Sequence, residues 1–259
     1  MPEVLGTARR RIHFLDELRG FAVFCMIFYH GFYTLAILYN SNAGLFLLNF
    51  FMPAEPYYAG LFMLISGICS NLSHSNLQRG LKLLGVALVI SLATYLVVPE
   101  EVIVFGILHF LAVCMILYGL LKPLADRFPF SWTSVVVCAV LYLCTMGISS
   151  GYLGLSPQMG IALPPSLYQT NWLAPLGIYS STFQSADYFG LFPWIFVFAA
   201  GTFLGKLAVQ ERFSAFFYPS RIPFFSWIGK HALILYILHQ PVIYGVCYAV
   251  SAALHILQK

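Results

Sequence analysis

Charge is what this chain has least of. Only 8% of its 259 residues are Asp, Glu, Lys or Arg, while 60% are hydrophobic and the mean hydropathy is +0.84. A water-soluble domain carries about a quarter of its residues as charges, so a soluble globular fold is excluded. The six cysteines (Cys25, Cys69, Cys114, Cys138, Cys144, Cys247) form no CxxC pair, and all lie in or beside apolar segments. A disulfide framework and a cysteine metal site are thereby excluded, and the thiols read as small apolar packers. The chain also lacks low-complexity tracts and obvious repeats. It does not show the alternation that lipid-facing barrel strands need.

Long apolar runs are what it has instead. A helix needs roughly 20 apolar residues to cross the hydrocarbon core. About seven runs qualify, near Leu18–Leu38, Phe51–Ser70, Leu81–Val98, Val102–Leu121, Trp132–Ile148, Tyr188–Leu207 and Trp227–Leu254. Backbone groups in lipid must be satisfied within their own segment, so each is expected to be a helix. The expectation is an all-α, multi-pass membrane protein forming one domain over residues 1–259. Its first apolar run is too long for a cleavable signal peptide.

Twelve of the thirteen basic residues fall at alternate ends of these runs. Arg9, Arg10, Arg11 and Arg19 precede or open the first, and Arg79 and Lys82 separate the second from the third. Lys122 and Arg127 follow the fourth, and Lys206, Arg212, Arg221 and Lys230 lie between the sixth and seventh. The opposite ends carry Glu55, Glu100, Glu101 and Asp187. The positive-inside rule then puts the N-terminus in the cytoplasm and the C-terminus outside. The net charge of +4 is thus a topology signal, with some attraction for anionic headgroups or an anionic cytoplasmic substrate. It gives no reason to expect nucleic acid. The one long connection, Ser149–Asp187, is rich in Pro and Tyr, and is expected to be an ordered outer cap with a short interfacial helix near Trp172–Tyr179. An inert connector anchored by its aromatic residues remains the alternative.

Ionisable groups inside a membrane are costly, so each is a candidate for function. Arg19 and His30 share the first helix, eleven positions apart. At roughly 100° and 1.5 Å per residue they face within ~20° of each other and lie roughly 16 Å apart along the axis. That spacing suits a long, thin ligand with an anionic head at the cytoplasmic end, and phosphopantetheine has that length. His109, in Phe105-Gly106-Ile107-Leu108-His109, and His239, in His239-Gln240-Pro241, are expected at a comparable depth in the outer half. Ordinary hydrogen bonding between helices would account for any one of these histidines alone. Ser66-Gly67 and the Gly201/Gly205 pair read as small faces for close helix packing.

Leu15-Asp16-Glu17-Leu18-Arg19-Gly20-Phe21-Ala22 followed by His30 resembles the first helix of the transmembrane acyltransferase superfamily, which includes the acyltransferase-3 O-acetylases. Three further segments resemble the bacterial domain related to heparan-alpha-glucosaminide N-acetyltransferase. They are Phe105–His109, Ser185–Trp194 and Ile237–Pro241, in chain order. Gly190 stands where that pattern would have proline.

The resemblance implies transfer of an acetyl group from cytoplasmic acetyl-CoA to a sugar or amino-sugar acceptor outside, in a bacterial inner membrane. It makes His30 the catalytic residue and Arg19 the contact to CoA. Arg79, Lys82, Arg221 and Lys230 are candidates to meet the nucleotide phosphates. His109 and His239 are candidates to orient His30 or to stabilise the oxyanion. Asp187, Glu55, Trp194 and Gln240 are candidates to hold the acceptor. A homodimer through the Gly201/Gly205 face is left open. Rival readings are a proton-coupled small-solute transporter using the same histidines, a haem-binding bundle, and a scaffold without catalysis.

Overall fold

The computed structural model describes residues 10–257, with side chains to residue 253, so Arg9 and Lys259 lie outside the described residues. The chain is helical along most of this length. It runs α1 (His13–Tyr33), α2 (Asn42–Phe51), α3 (Glu55–Ser70), α4 (Asn76–Val97), α5 (Ile107–Ala125), α6 (Trp132–Thr145), α7 (Leu191–Val209), α8 (Pro223–Lys230) and α9 (Ala232–Leu257). A π-helical segment, Thr34–Leu38, prolongs α1. Between α6 and α7 lies a two-residue antiparallel ladder, β1 (Tyr152–Leu153) with β2 (Ile161–Ala162).

Six helices are long and apolar enough to cross a membrane: α1 with its extension, α4, α5, α6 with its continuation to Ser150, α7, and α9. The expected second span is shorter. α3 has 16 residues, about 24 Å at 1.5 Å per residue, against a hydrocarbon core of about 30 Å. The expected last span is two helices, because the chain breaks at His231 between α8 and α9. The expected fourth span starts late. Residues 102–106 are not helical, Phe105 bridges Tyr188, and Asp187 Oδ2 accepts the Ile107 N–H at 3.1 Å, so α5 begins only there. The carboxylate satisfies one of the orphan donors of the helix N-terminus.

Two compact units emerge: residues 1–62 with 213–259, and residues 63–212. The boundary falls within α3 and after α7. In the first unit, α8 packs across the start of α1. A Cβ on Gly20 would lie 1.9 Å from the Phe225 carbonyl oxygen, and one on Gly229 would lie 1.9 Å from that of Asp16. Only glycine allows so close an approach of two backbones. Val23, Ile228 and Ala232 form the adjoining core. α9 runs along α1 in the same direction: Val23 clusters with Ala232, and seven residues further along each helix His30 meets His239.

In the second unit α4 and α5 form an antiparallel hairpin, while α7 packs on the second half of α3. A Cβ on Gly201 would lie 2.2 Å from the Leu64 carbonyl oxygen, and one on Gly205 would lie 2.5 Å from that of Ile68. The small face of α7 is therefore taken up inside the unit. The 149–187 segment is ordered, as expected. In place of the short helix at Trp172–Tyr179 it has one 3₁₀ turn, Ala174–Leu176, and a second at Pro165–Tyr168. Tyr168 Oη donates to the Ile148 carbonyl and Tyr188 Oη to that of Ala174.

Candidate active site

The polar groups of the first unit lie at two levels along α1. At its start Arg11 Nε pairs with Asp16 Oδ2 at 2.8 Å, and Arg19 Nη1 pairs with Asp16 Oδ1 at 3.3 Å. Arg19 also reaches the Gly229 carbonyl at 3.5 Å, at the end of α8. Its guanidinium is thus held by partners on two helices. Glu17 Oε1 accepts from the backbone N–H groups of Arg221 and Ile222 (2.6 and 2.9 Å) and from Ser220 Oγ at 3.1 Å. A carboxylate at the helix N-terminus satisfies donors that have no partner within the helix, and Pro223 suits the first turn. Arg221 lies over the Phe216 ring and Arg10 over Tyr218, at 3.8 and 4.7 Å. Arg221 and Lys230, at the two ends of α8, are exposed. This level is a basic rim on an acidic pair.

Eleven residues further along α1, His30 faces α9. Gln240 Nε2 lies 3.2 Å from His30 Nδ1, and the His239 ring is 5.0 Å away between centroids. Tyr29 stacks edge-on against both His30 and Tyr58. His239 Nδ1 lies 2.5 Å from the Tyr236 carbonyl. A carbonyl can only accept, so this nitrogen carries a proton and the Nε2 of a neutral His239 has the lone pair. Glu55 stands in the first turn of α3, where negative charge suits the N-terminus. Of the expected site residues, the structure brings His30, His239 and Gln240 together here.

His109 belongs to a separate cluster in the second unit. It is 5% exposed, and its Nε2 lies 3.3 Å from Ser91 Oγ on α4. Ser91 Oγ has a better acceptor 2.5 Å away, the Ile103 carbonyl. Its hydrogen goes there, so its lone pair receives the His109 Nε2–H. The tautomer is thereby fixed, and Nδ1 keeps a lone pair with no hydrogen-bond partner among the described residues. Asp187 roofs the same hairpin through its bond to Ile107 N–H. Trp194 packs against Tyr142 and Phe189. Arg79 and Lys82 lie exposed in the first two turns of α4.

Three contributors escaped the sequence reading: Ser91, Glu17 in its capping role, and the Gly20/Gly229 contact. Glu17 and Gly20 were already visible in the α1 motif, but their partners lie about 200 residues away. A serine within an apolar helix is itself a signal of interhelical bonding, and Ser91 could have been found on that ground. Among the described residues no group of three His, Cys, Asp or Glu side chains is gathered as metal ligands.

Comparison with protein families gives a match. The profile for "Heparan-alpha-glucosaminide N-acetyltransferase, catalytic" matches residues 11–241, a stretch that includes Arg11 at the α1 entrance and His30, His109, His239 and Gln240. Neither the curated proteins nor the solved structures give a match. With about nine-tenths of its length covered, running from the basic entrance of α1 to Pro241 in α9, the chain belongs to the heparan-alpha-glucosaminide N-acetyltransferase catalytic family.

Proposed function

We propose that the chain transfers an acetyl group from cytoplasmic acetyl-CoA to a sugar-type hydroxyl or amine on the opposite face of the membrane, with His30 as the catalytic base or nucleophile. The observation that carries this reading is the two-level arrangement on α1. A guanidinium lies at the basic end, and an imidazole with partners from α9 lies roughly 16 Å further along the same face. The anionic nucleotide end of CoA is met by Arg19, Arg221 and Lys230 in the first unit. The pantetheine arm brings the thioester towards His30. His30 Nε2 takes the proton of the acceptor O–H or N–H as the acceptor atom bonds to the thioester carbon. The C–S bond then breaks, and the thiolate leaves with that proton as the free thiol. In the alternative route His30 itself carries the acetyl group between donor and acceptor. His239 orients His30, while Glu55 is a candidate to hold the acceptor.

The proposed topology has seven crossings, with the N-terminus cytoplasmic and the C-terminus outside. Support comes from the first unit, where α1 and α9 run in the same direction. Two parallel spans at the ends of a chain require an odd number of crossings, so the short α3 counts as one. Local bilayer thinning can accommodate its length at modest cost. A multi-pass position in a bacterial inner membrane accords with this. A proton-coupled transporter finds no support in the family assignment.

The test is acetyl-CoA binding and hydrolysis by the purified protein in detergent, with Arg19→Ala and His30→Ala beside the parent. The expected result is weaker binding for Arg19→Ala, and binding without turnover for His30→Ala. A parent that does not bind acetyl-CoA would overturn the reading.

A further inference from the structure

Gln240 was expected to hold the acceptor, but its side chain is turned to His30. As placed, the amide N–H of Gln240 points at His30 Nδ1, which must then be the unprotonated nitrogen. Neutral His30 in that state carries its hydrogen on Nε2 and can donate there but cannot accept. Base catalysis or nucleophilic attack through Nε2 needs the other tautomer, with hydrogen on Nδ1. An imidazolium likewise has hydrogen on both nitrogens. Only the amide oxygen of Gln240 can face Nδ1–H, and this oxygen is buried without a hydrogen-bond partner among the described residues.

Turning the amide over would give Oε1 to His30 and leave Nε2 of Gln240 in the place without a partner. In either orientation one end of the amide meets His30, and no donor among the described residues holds Oε1 in its present place. The proton on His30 therefore decides which end of the amide faces Nδ1. A carboxylate in the same place would behave differently, since it accepts only and would hold one tautomer throughout.

We propose that Gln240 is a positioning residue whose amide turns over with the proton on His30, giving its N–H to Nδ1 in the resting Nε2–H tautomer and its Oε1 to Nδ1–H throughout acyl transfer. This rests on the acyltransfer reading and deepens it. When His30 Nε2 takes the acceptor's proton, Gln240 Oε1 accepts the Nδ1–H of the resulting imidazolium. After Nε2–H passes to the departing thiolate, Nδ1–H and Oε1 stay paired and His30 is again a base. The opposite amide orientation holds the resting Nε2–H tautomer, and His30 becomes a base when one proton leaves Nε2 and one is gained at Nδ1 by exchange with water.

Gln240→Leu and Gln240→Glu, with ¹⁵N-histidine labelling, test this. His30→Gln locates the His30 signals by difference. For Gln240→Leu, kcat for acetyl-CoA hydrolysis is expected to fall about 10- to 100-fold, within the usual range for disturbing one acid–base group, with acetyl-CoA affinity unchanged. The His30 ¹⁵N shifts should also change their tautomer balance. Gln240→Glu keeps an acceptor, so it should regain most of kcat, hold His30 with hydrogen on Nδ1, and move the basic-form limb of the pH–rate profile to higher pH. Parent-like ¹⁵N shifts and kcat in Gln240→Leu would overturn the proposal. So would a raised KM for the acceptor with kcat intact, which would make Gln240 a substrate contact. The ¹⁵N readout needs no turnover, so it decides the Gln240–His30 coupling even in a protein that fails to use acetyl-CoA.

Discussion

His30 and His109 are both imidazoles carried on apolar helices, yet their neighbours differ in chemical kind. His109 meets a hydroxyl whose own hydrogen is already committed to the Ile103 carbonyl. That chain of donors has one direction and leaves one tautomer. His30 meets an amide that can offer either an N–H or a C=O from nearly the same position. A fixed partner suits a group that must hold something in place. A reversible one suits a group whose proton comes and goes. On the proposed function the chemistry falls to His30, and His109 is read as a rigid acceptor at Nδ1 whose Nε2–H ties α5 to Ser91 of α4.

The largest expected effect tests that division directly. His30→Gln should reduce acetyl-CoA hydrolysis by roughly 10²- to 10⁴-fold, the usual contribution of a general base, with little change in thermal midpoint. His109→Gln should do the reverse: a clear drop in thermal midpoint and less than about a tenfold loss of turnover, well below a general base's share. Equal losses of turnover from both would break the comparison.

Next in size is the α1–α8 contact that carries Arg19. Gly229→Ala puts a methyl group where the Asp16 carbonyl now stands, and backbone has to move to admit it. Because Arg19 bonds to the Gly229 carbonyl and to Asp16, acetyl-CoA affinity should fall by about tenfold, the equivalent of 1.4 kcal/mol. Gly67→Ala, at the comparable contact between α3 and α7 in the second unit, should lower the thermal midpoint while leaving affinity less affected. Isothermal titration and a melting curve on both variants separate the two outcomes.

Ser91→Ala is smaller. It removes the acceptor of the His109 Nε2–H and should cost about 0.6 kcal/mol, the measured average for hydrogen bonds between membrane helices, and at most about 1.7 kcal/mol. The ¹⁵N shifts of His109 should then show a mixed tautomer in place of a single one. A single tautomer retained in Ser91→Ala would mean that something other than Ser91 sets it.

Much of this was legible in the chain. Apolar length marks helices because lipid leaves the backbone no other solution, and six of the seven runs contain helices long enough to span. The eleven-residue offset of Arg19 and His30 needs only helix geometry, so one face of α1 could be read without a structure. The failures share a cause. A break such as His231 costs no apolar residue, so hydropathy runs straight through from Trp227. The late start of α5 depends on Asp187, 80 residues downstream, closing the helix end. Ser91 gains meaning only when the turn between α4 and α5 brings it to His109. Gln240 was noticed, but its role depends on α9 lying parallel to α1, which no local pattern encodes.

The smallest effect concerns the segment that roofs the second cluster. Tyr168 pins this segment by donating to the Ile148 carbonyl, and its burial raises the phenol above its usual pKa. In the unfolded segment the phenol ionises near pH ~10. A folded pKa above the unfolded one means the contribution is complete below about pH 10 and is lost as pH rises through the folded value. Alkaline pH should therefore loosen the 149–187 segment before either helical unit, exposing it to protease while the far-ultraviolet helix signal holds. Tyr168→Phe removes the ionisation together with the hydrogen bond, so its cleavage should be slightly faster at neutral pH and nearly flat across pH 9–11. A parent segment that stays resistant at pH 11 would mean that the bonds of Tyr188, Ser185 and Asp187 hold the roof without Tyr168. The His109 cluster would then be enclosed from the α5 side, and its rigidity would owe nothing to the outer part of the cap.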